Sequence, residues 1–84
     1  MINVLLIEDH PAIAFYIGES LSACPEPYNV LIAENGTDAL SILETKNCNL
    51  VIMDLALPDY DGVELIPKIA AANKPPLIIV FTAR

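Results

Sequence analysis

Basic residues are scarce in this chain. Four lysines and arginines stand against eleven acids over 84 residues, a formal net charge of −7. Lys46, Lys68, Lys74 and Arg84 are scattered along the sequence, so the segment carries no electrostatic footprint for nucleic acid and no direct contact with it is expected. Long apolar runs are also missing. Acids interrupt every candidate well short of the roughly 18–20 residues that a membrane helix needs, which excludes a membrane partner of that kind. Glu8 and Asp9 fall where a secretory signal would place its apolar region. Cysteine is limited to Cys24 and Cys48, with no second ligand motif near either, and both read as reduced packing residues of a cytoplasmic chain. The three glycines form no phosphate-cradling loop; Asn35-Gly36 is a turn signal, and nothing supports nucleotide binding.

What the chain has in quantity is aliphatic bulk. Hydrophobic residues make up 55% of it while aromatics make up 6%, a composition that folds rather than stays disordered. Its length allows one small domain, residues 1–84, burying roughly 60–65% of its unfolded surface. The short Val-, Ile- and Leu-rich runs Val4–Ile7, Val30–Ala33, Leu50–Met53 and Leu77–Phe81 show no alternation, as expected of strands covered on both faces. Between them lie helical patterns. Pro11–Ala23 places Ile13, Ile17 and Leu21 at fourfold spacing behind a first-turn proline. Thr37–Thr45 carries Ala39, Leu40 and Leu43 on one stripe after a Gly36 turn, and Gly62–Ala72 carries Val63, Ile66, Ile69 and Ala70. Pro67 sits too deep in the last of these to be harmless and predicts a bend or a late start. The resulting order, βαβαβαβ, predicts a right-handed, doubly wound parallel α/β sheet.

Functional groups of such sheets gather at the carboxyl ends of the strands. Here one strand run closes on Glu8 and Asp9, another on Asp54 and another on Thr82. Parallel strands point one way, so these oxygens should share a rim. Carboxylates gathered at one place repel one another, and a divalent cation relieves the repulsion. Oxygen ligands without nearby His or Cys favour a hard ion, Mg²⁺ over Zn²⁺. An aspartate beside Mg²⁺ points to phosphoryl chemistry, with the carboxylate as nucleophile and the metal screening the incoming phosphate. Each residue alone has an ordinary explanation: Glu8-Asp9 as a helix cap, Asp54 as a solvated strand end, Asp61-Gly62 as a turn. Their joint placement at matching strand ends is what argues for a site.

The chain resembles the receiver domain of two-component response regulators, a flavodoxin-like fold. The resemblance rests on Val4-Leu5-Leu6-Ile7-Glu8-Asp9, on Asp54 with Leu55-Ala56-Leu57-Pro58, on Asp61-Gly62 and on Thr82-Ala83. It implies that Asp54 accepts a phosphoryl group from a sensor histidine kinase or a histidine phosphotransfer protein. It further implies that Asp9, Asp54 and the backbone carbonyl of Ala56 ligate Mg²⁺, with Glu8 acting directly or through water. Thr82 would hydrogen-bond the phosphorylated aspartate, and the small Ala83 would leave room for phosphoryl oxygens. On this reading Pro58, Asp61 and Gly62 shape the loop after the acceptor, and the segment is a signalling phosphoacceptor, not an enzyme, with self-catalysed transfer to Asp54 expected only in the complete domain. His10-Pro11 after the acid pair is similar to receivers that precede LuxR-like DNA-binding output domains. A haloacid-dehalogenase-like phosphohydrolase would need a second acid two residues beyond the nucleophile, where Ala56 stands; a purely interacting scaffold is the other alternative.

The resemblance covers the first two thirds of such a domain, through the fourth strand. A receiver continues through a fifth strand followed by a lysine that grips the phosphoryl group, and none of the four basic residues here is placed to replace it. Leu77–Phe81 would then be an apolar edge without Lys or internal Pro to guard it. The expected consequence is a homodimer through this fourth strand and the face of the first helix.

Overall fold

The structure, a computed structural model of the chain, describes residues 2–26 and 28–81. Four strands alternate with three helices: β1 (Ile2–Ile7), α1 (Pro11–Ser22), β2 (Tyr28–Ala33), α2 (Gly36–Thr45), β3 (Leu50–Asp54), α3 (Gly62–Ala70) and β4 (Leu77–Phe81). The strands form one sheet in the order β2-β1-β3-β4, with every neighbouring pair parallel. This is the doubly wound order expected from the sequence. The strand runs are longer than the apolar residues alone indicate. β1 begins two residues early because Asn3 continues the ladder opposite Asn29, and β3 takes in Asp54, level with Phe81.

Alternation of side chains along each strand divides the core in two. Leu5 and Ile7 of β1 stand level with Val51 and Met53 of β3, and this face packs against Ala39 of α2 and Leu65 and Ile69 of α3. All seven residues are fully buried. The opposite face, with Val4 and Leu6, receives α1 through Ala14 and the half-buried Ile13, Ile17 and Leu21. Burying each large aliphatic side chain contributes about 1.5–3 kcal/mol, so the centre of β1 and β3 dominates the stability of so small a domain.

Two of the helices, α2 and α3, begin on side-chain caps. Asn35 caps α2, its side chain accepting from Asp38 N–H at 2.8 Å, and Gly36 is the first helical residue, not a turn preceding the helix. Asp61 caps α3 in the same way through Val63 N–H at 3.1 Å. α3 starts at Gly62, so Pro67 does not delay it; the helix runs through the proline and closes at Ala70, two residues before the end of its apolar pattern. At the amino-terminal end of the sheet four asparagines, three of them through their side chains, tie strands together. Asn3 N–H donates to Asn49 Oδ1 (2.9 Å), Asn3 Nδ2 to the Asn47 carbonyl (2.8 Å), and Asn29 Nδ2 to Asn3 Oδ1 (3.1 Å). These bonds close off the end of the sheet opposite the acidic rim.

Candidate functional site

The register of the sheet builds the rim. Ile7 stands level with Met53, so the residues that follow them, Glu8 and Asp54, emerge together at the carboxyl ends of adjacent central strands. Both are buried, Glu8 completely and Asp54 to 1% exposure, while Asp9 is half-buried. Each of the three offers a carboxylate oxygen, and these oxygens lie within 4.8 Å of one another. Neither acid of the Glu8-Asp9 pair caps α1: the cap residue is His10, which makes no side-chain cap bond. Instead Glu8 Oε1 accepts from the His10 backbone N–H at 3.3 Å, and Glu8 N–H donates to the Ala33 carbonyl at 3.0 Å. The structure thus brings Glu8, Asp9 and Asp54 together and leaves exposed His10 outside the cluster. Thr82 and Ala83 lie outside the described residues.

The loop after Asp54 is held along its length. Ala56 N–H donates to Asp54 Oδ1 at 3.2 Å, which orients the carboxylate. Ala56 bridges back to Asp61, and Gly62 N–H donates to the Leu55 carbonyl at 2.9 Å. A Cβ on Gly62 would lie 2.8 Å from Leu55 Cα, so only glycine lets the start of α3 approach this closely. These contacts fix Ala56 two residues from Asp54, where its carbonyl belongs to the expected ligand set.

One residue of the loop was not legible as a site residue. Asp59, which the sequence marks only as part of a Pro-Asp turn, reaches across to the start of α2. Its carboxylate accepts from Gly36 N–H (2.8 Å), Thr37 N–H (2.8 Å) and the Thr37 hydroxyl (2.6 Å). An anion at a helix amino terminus satisfies otherwise orphaned amides. The Tyr60 ring packs over Gly36, where a Cβ would collide with it. Together Asp59 and Tyr60 clamp the loop after Asp54 to α2. The local signal would have been an acid in a loop facing a Gly-Thr helix start, a pairing across 22 residues that no local pattern announces.

The donor set fits Mg²⁺. Three carboxylates and a nearby main-chain carbonyl are hard oxygen ligands, and one or two carboxylates with retained waters is the usual protein share of a Mg²⁺ shell.

Comparison with known proteins agrees with this geometry. The response regulator receiver domain family matches residues 4–84, and the chain belongs to that family. It is similar to the virulence-factor transcription regulator BvgA of Bordetella pertussis, 33% identical over 83 residues, which are 98% of this chain and 39% of that protein. The chain therefore spans about two fifths of that regulator's length. Among solved structures it is similar to the response regulator TrrA of Thermotoga maritima in complex with Mg²⁺-BeF, at 34% identity and a TM-score of 0.87 over 100% of this chain and 71% of that one. TrrA has also been solved in complex with the histidine kinase ThkA; that structure matches at 35% identity and a TM-score of 0.86, covering 99% of this chain and 70% of that one.

The Asp59 clamp makes a specific pH prediction. The Thr37 hydroxyl first, and the Gly36 and Thr37 amides after it, hold the Asp59 carboxyl below its ordinary range. A carboxylate favoured in the folded state stabilises above its unfolded pKa, about 3.9, and loses that contribution as pH falls through the lowered folded value. Asp59→Ala should therefore melt below the wild type near neutral pH, and the gap should close as the pH falls below about 3.9. Thermal melts followed by circular dichroism across pH 2–7 check this; a gap of constant size would contradict the clamp.

Proposed function

We propose that Asp54 is the phosphoacceptor of this receiver domain, taking its phosphoryl group from a sensor histidine kinase or a histidine phosphotransfer protein. The single observation that carries the reading is the convergence of the Glu8, Asp9 and Asp54 oxygens within 4.8 Å at the carboxyl ends of two adjacent strands. One carboxylate oxygen of Asp54 attacks the phosphorus of a phosphohistidine. The P–N bond breaks, its electron pair returns to the imidazole, and an acyl phosphate forms on Asp54. Asp9, Asp54 and the Ala56 carbonyl would hold Mg²⁺, with Glu8 acting directly or through water. The ion, when bound, neutralises charge on the transferring phosphoryl oxygens. Thr82 then hydrogen-bonds the phosphoryl group, and Ala83 leaves it room. The chain's own share is to orient the acceptor: Ala56 N–H holds Asp54, and the anchored loop from Leu55 to Gly62 fixes the position of Ala56.

In this reading the domain is a signalling phosphoacceptor that turns over no substrate of its own, and it sits in the cytoplasm with its two free cysteines reduced. Its signal passes to an output function. BvgA, a transcription regulator that this chain resembles, and His10-Pro11 after the acid pair both support transcription control by a LuxR-like domain. Treatment with acetyl phosphate and Mg²⁺ tests the assignment by intact mass. Carried within a receiver domain that includes the phosphoryl-gripping lysine, the wild-type sequence should gain one phosphoryl group, and Asp54→Asn, or the wild type with Mg²⁺ chelated, should gain none. Phosphorylation that survives Asp54→Asn would overturn it.

The 84-residue chain by itself is further proposed to form a homodimer through β4 and the face of α1. Among the described strands β4 is an edge, with Leu77, Ile79 and Val80 exposed to 68%, 47% and 40%, and α1 exposes Phe15 and Tyr16. Covering apolar surface contributes about 25 cal/mol per Å², and an unguarded edge strand offers main-chain pairing as well. Sedimentation at micromolar concentration should show a dimer that Ile79→Lys dissociates; a cooperatively melting wild-type monomer would contradict it.

A further inference from the structure

Lys46 lines the same cleft as Lys68 and Lys74, although it precedes them by 22 and 28 residues in the sequence. Lys46, Lys68 and Lys74 line one cleft of about 590 Å³, between the carboxyl-terminal ends of α2 and α3 and beside the starts of β3 and β4. Its walls include Leu40, Leu43 and the buried Cys48, and Glu44 is the only acid among its lining residues. A chain of net charge −7 with four basic residues thus commits three of them to one concave, partly apolar surface. This cleft lies at the opposite end of the strands from the acidic rim. β3 alone separates them, five residues at about 3.3 Å each, or roughly 17 Å.

Part of this arrangement has a structural explanation. Lys68 stands in the last turn of α3 and Lys46 caps α2, where cations offset the partial negative charge of exposed helix carbonyls. That does not account for Lys74, which belongs to neither helix, nor for the volume. Clefts of about 300–1,000 Å³ with apolar walls and a few convergent polar groups are the usual form of small-molecule sites. Lys46 also acts inward, its ammonium opposing the rise that burial imposes on the Cys48 thiol.

We propose that this cleft binds an amphipathic organic anion, an apolar body seated against Leu40, Leu43 and Cys48 with a phosphate or carboxylate held by Lys46, Lys68 and Lys74. The anion meets three cations, while Glu44 favours ligands whose charge is confined to one end. The site is separate from the phosphoacceptor and does not depend on the reading given for it.

The probes are 1-naphthyl phosphate and 1-naphthoate, with neutral 1-naphthalenemethanol and inorganic phosphate as controls, followed by amide shifts in NMR spectra of the full chain. At least one of the two aromatic anions should saturate, moving signals of residues 44–48 and 71–74, and the tighter of the two identifies the head group. Both controls should bind far more weakly. Raising the salt should weaken binding. Removing charge-assisted contacts in the double variant Lys46→Gln/Lys68→Gln should weaken it about tenfold; both lysines are exposed, so the fold should survive. In a Cys24→Ser background the ligand should also slow alkylation of Cys48 by N-ethylmaleimide. Equal binding of the neutral control, shifts centred on β4 or α1, or no saturation with either anion would overturn the proposal.

Discussion

The parallel register between β1 and β3 is the constraint on which the rest depends. Because Ile7 pairs with Met53, Glu8 and Asp54 leave the sheet at the same level, and a slip of one residue would send one of them to the other face. The register is secured in the middle of the strands and at their start. Fully buried Leu5, Ile7, Val51 and Met53 pack on α2 and α3, and the bonds of Asn3 to Asn47 and Asn49 lock the start of the pair. Hydrophobic burial in the middle of the sheet therefore places carboxylates at its edge, against their mutual repulsion. Charged groups held in a buried setting are costly unless something compensates them, and a divalent cation is a compensation that also serves phosphoryl transfer.

The loop that leaves Asp54 is as constrained as the strand that brings it. Gly62 allows α3 to touch Leu55, Asp61 caps α3, and Asp59 with Tyr60 holds the loop to α2. This chain gives the loop after Asp54 direct hydrogen bonds to a neighbouring helix start, through the Asp59 carboxylate and the Gly36 and Thr37 donors of α2.

Much of this was legible in the sequence, and the reasons are local. Strands buried on both faces leave continuous Val/Ile/Leu runs, and strands closing on Glu8, Asp9 and Asp54 announce a shared rim once the strands are known to be parallel. The parts that were not legible are contacts between segments distant in sequence. Asp59 reads as a turn residue because its partners Gly36 and Thr37 precede it by 23 and 22 residues. The lysines read as scattered because their convergence requires the ends of α2 and α3 to lie side by side. Pro67 does not delay α3, which starts at Gly62 and runs through the exposed proline to Ala70. Boundaries shifted where polar residues, such as Asn3, extend a strand without extending its apolar run.

The central claim is that Glu8, Asp9 and Asp54 form one Mg²⁺ site. Titration of Mg²⁺ followed by NMR tests it most directly. The account predicts saturable shifts confined to the neighbourhood of these three residues and Ala56, weakened in Asp54→Asn while the protein stays folded. Uniform, non-saturating shifts across the chain, or a response unchanged in Asp54→Asn, would contradict it.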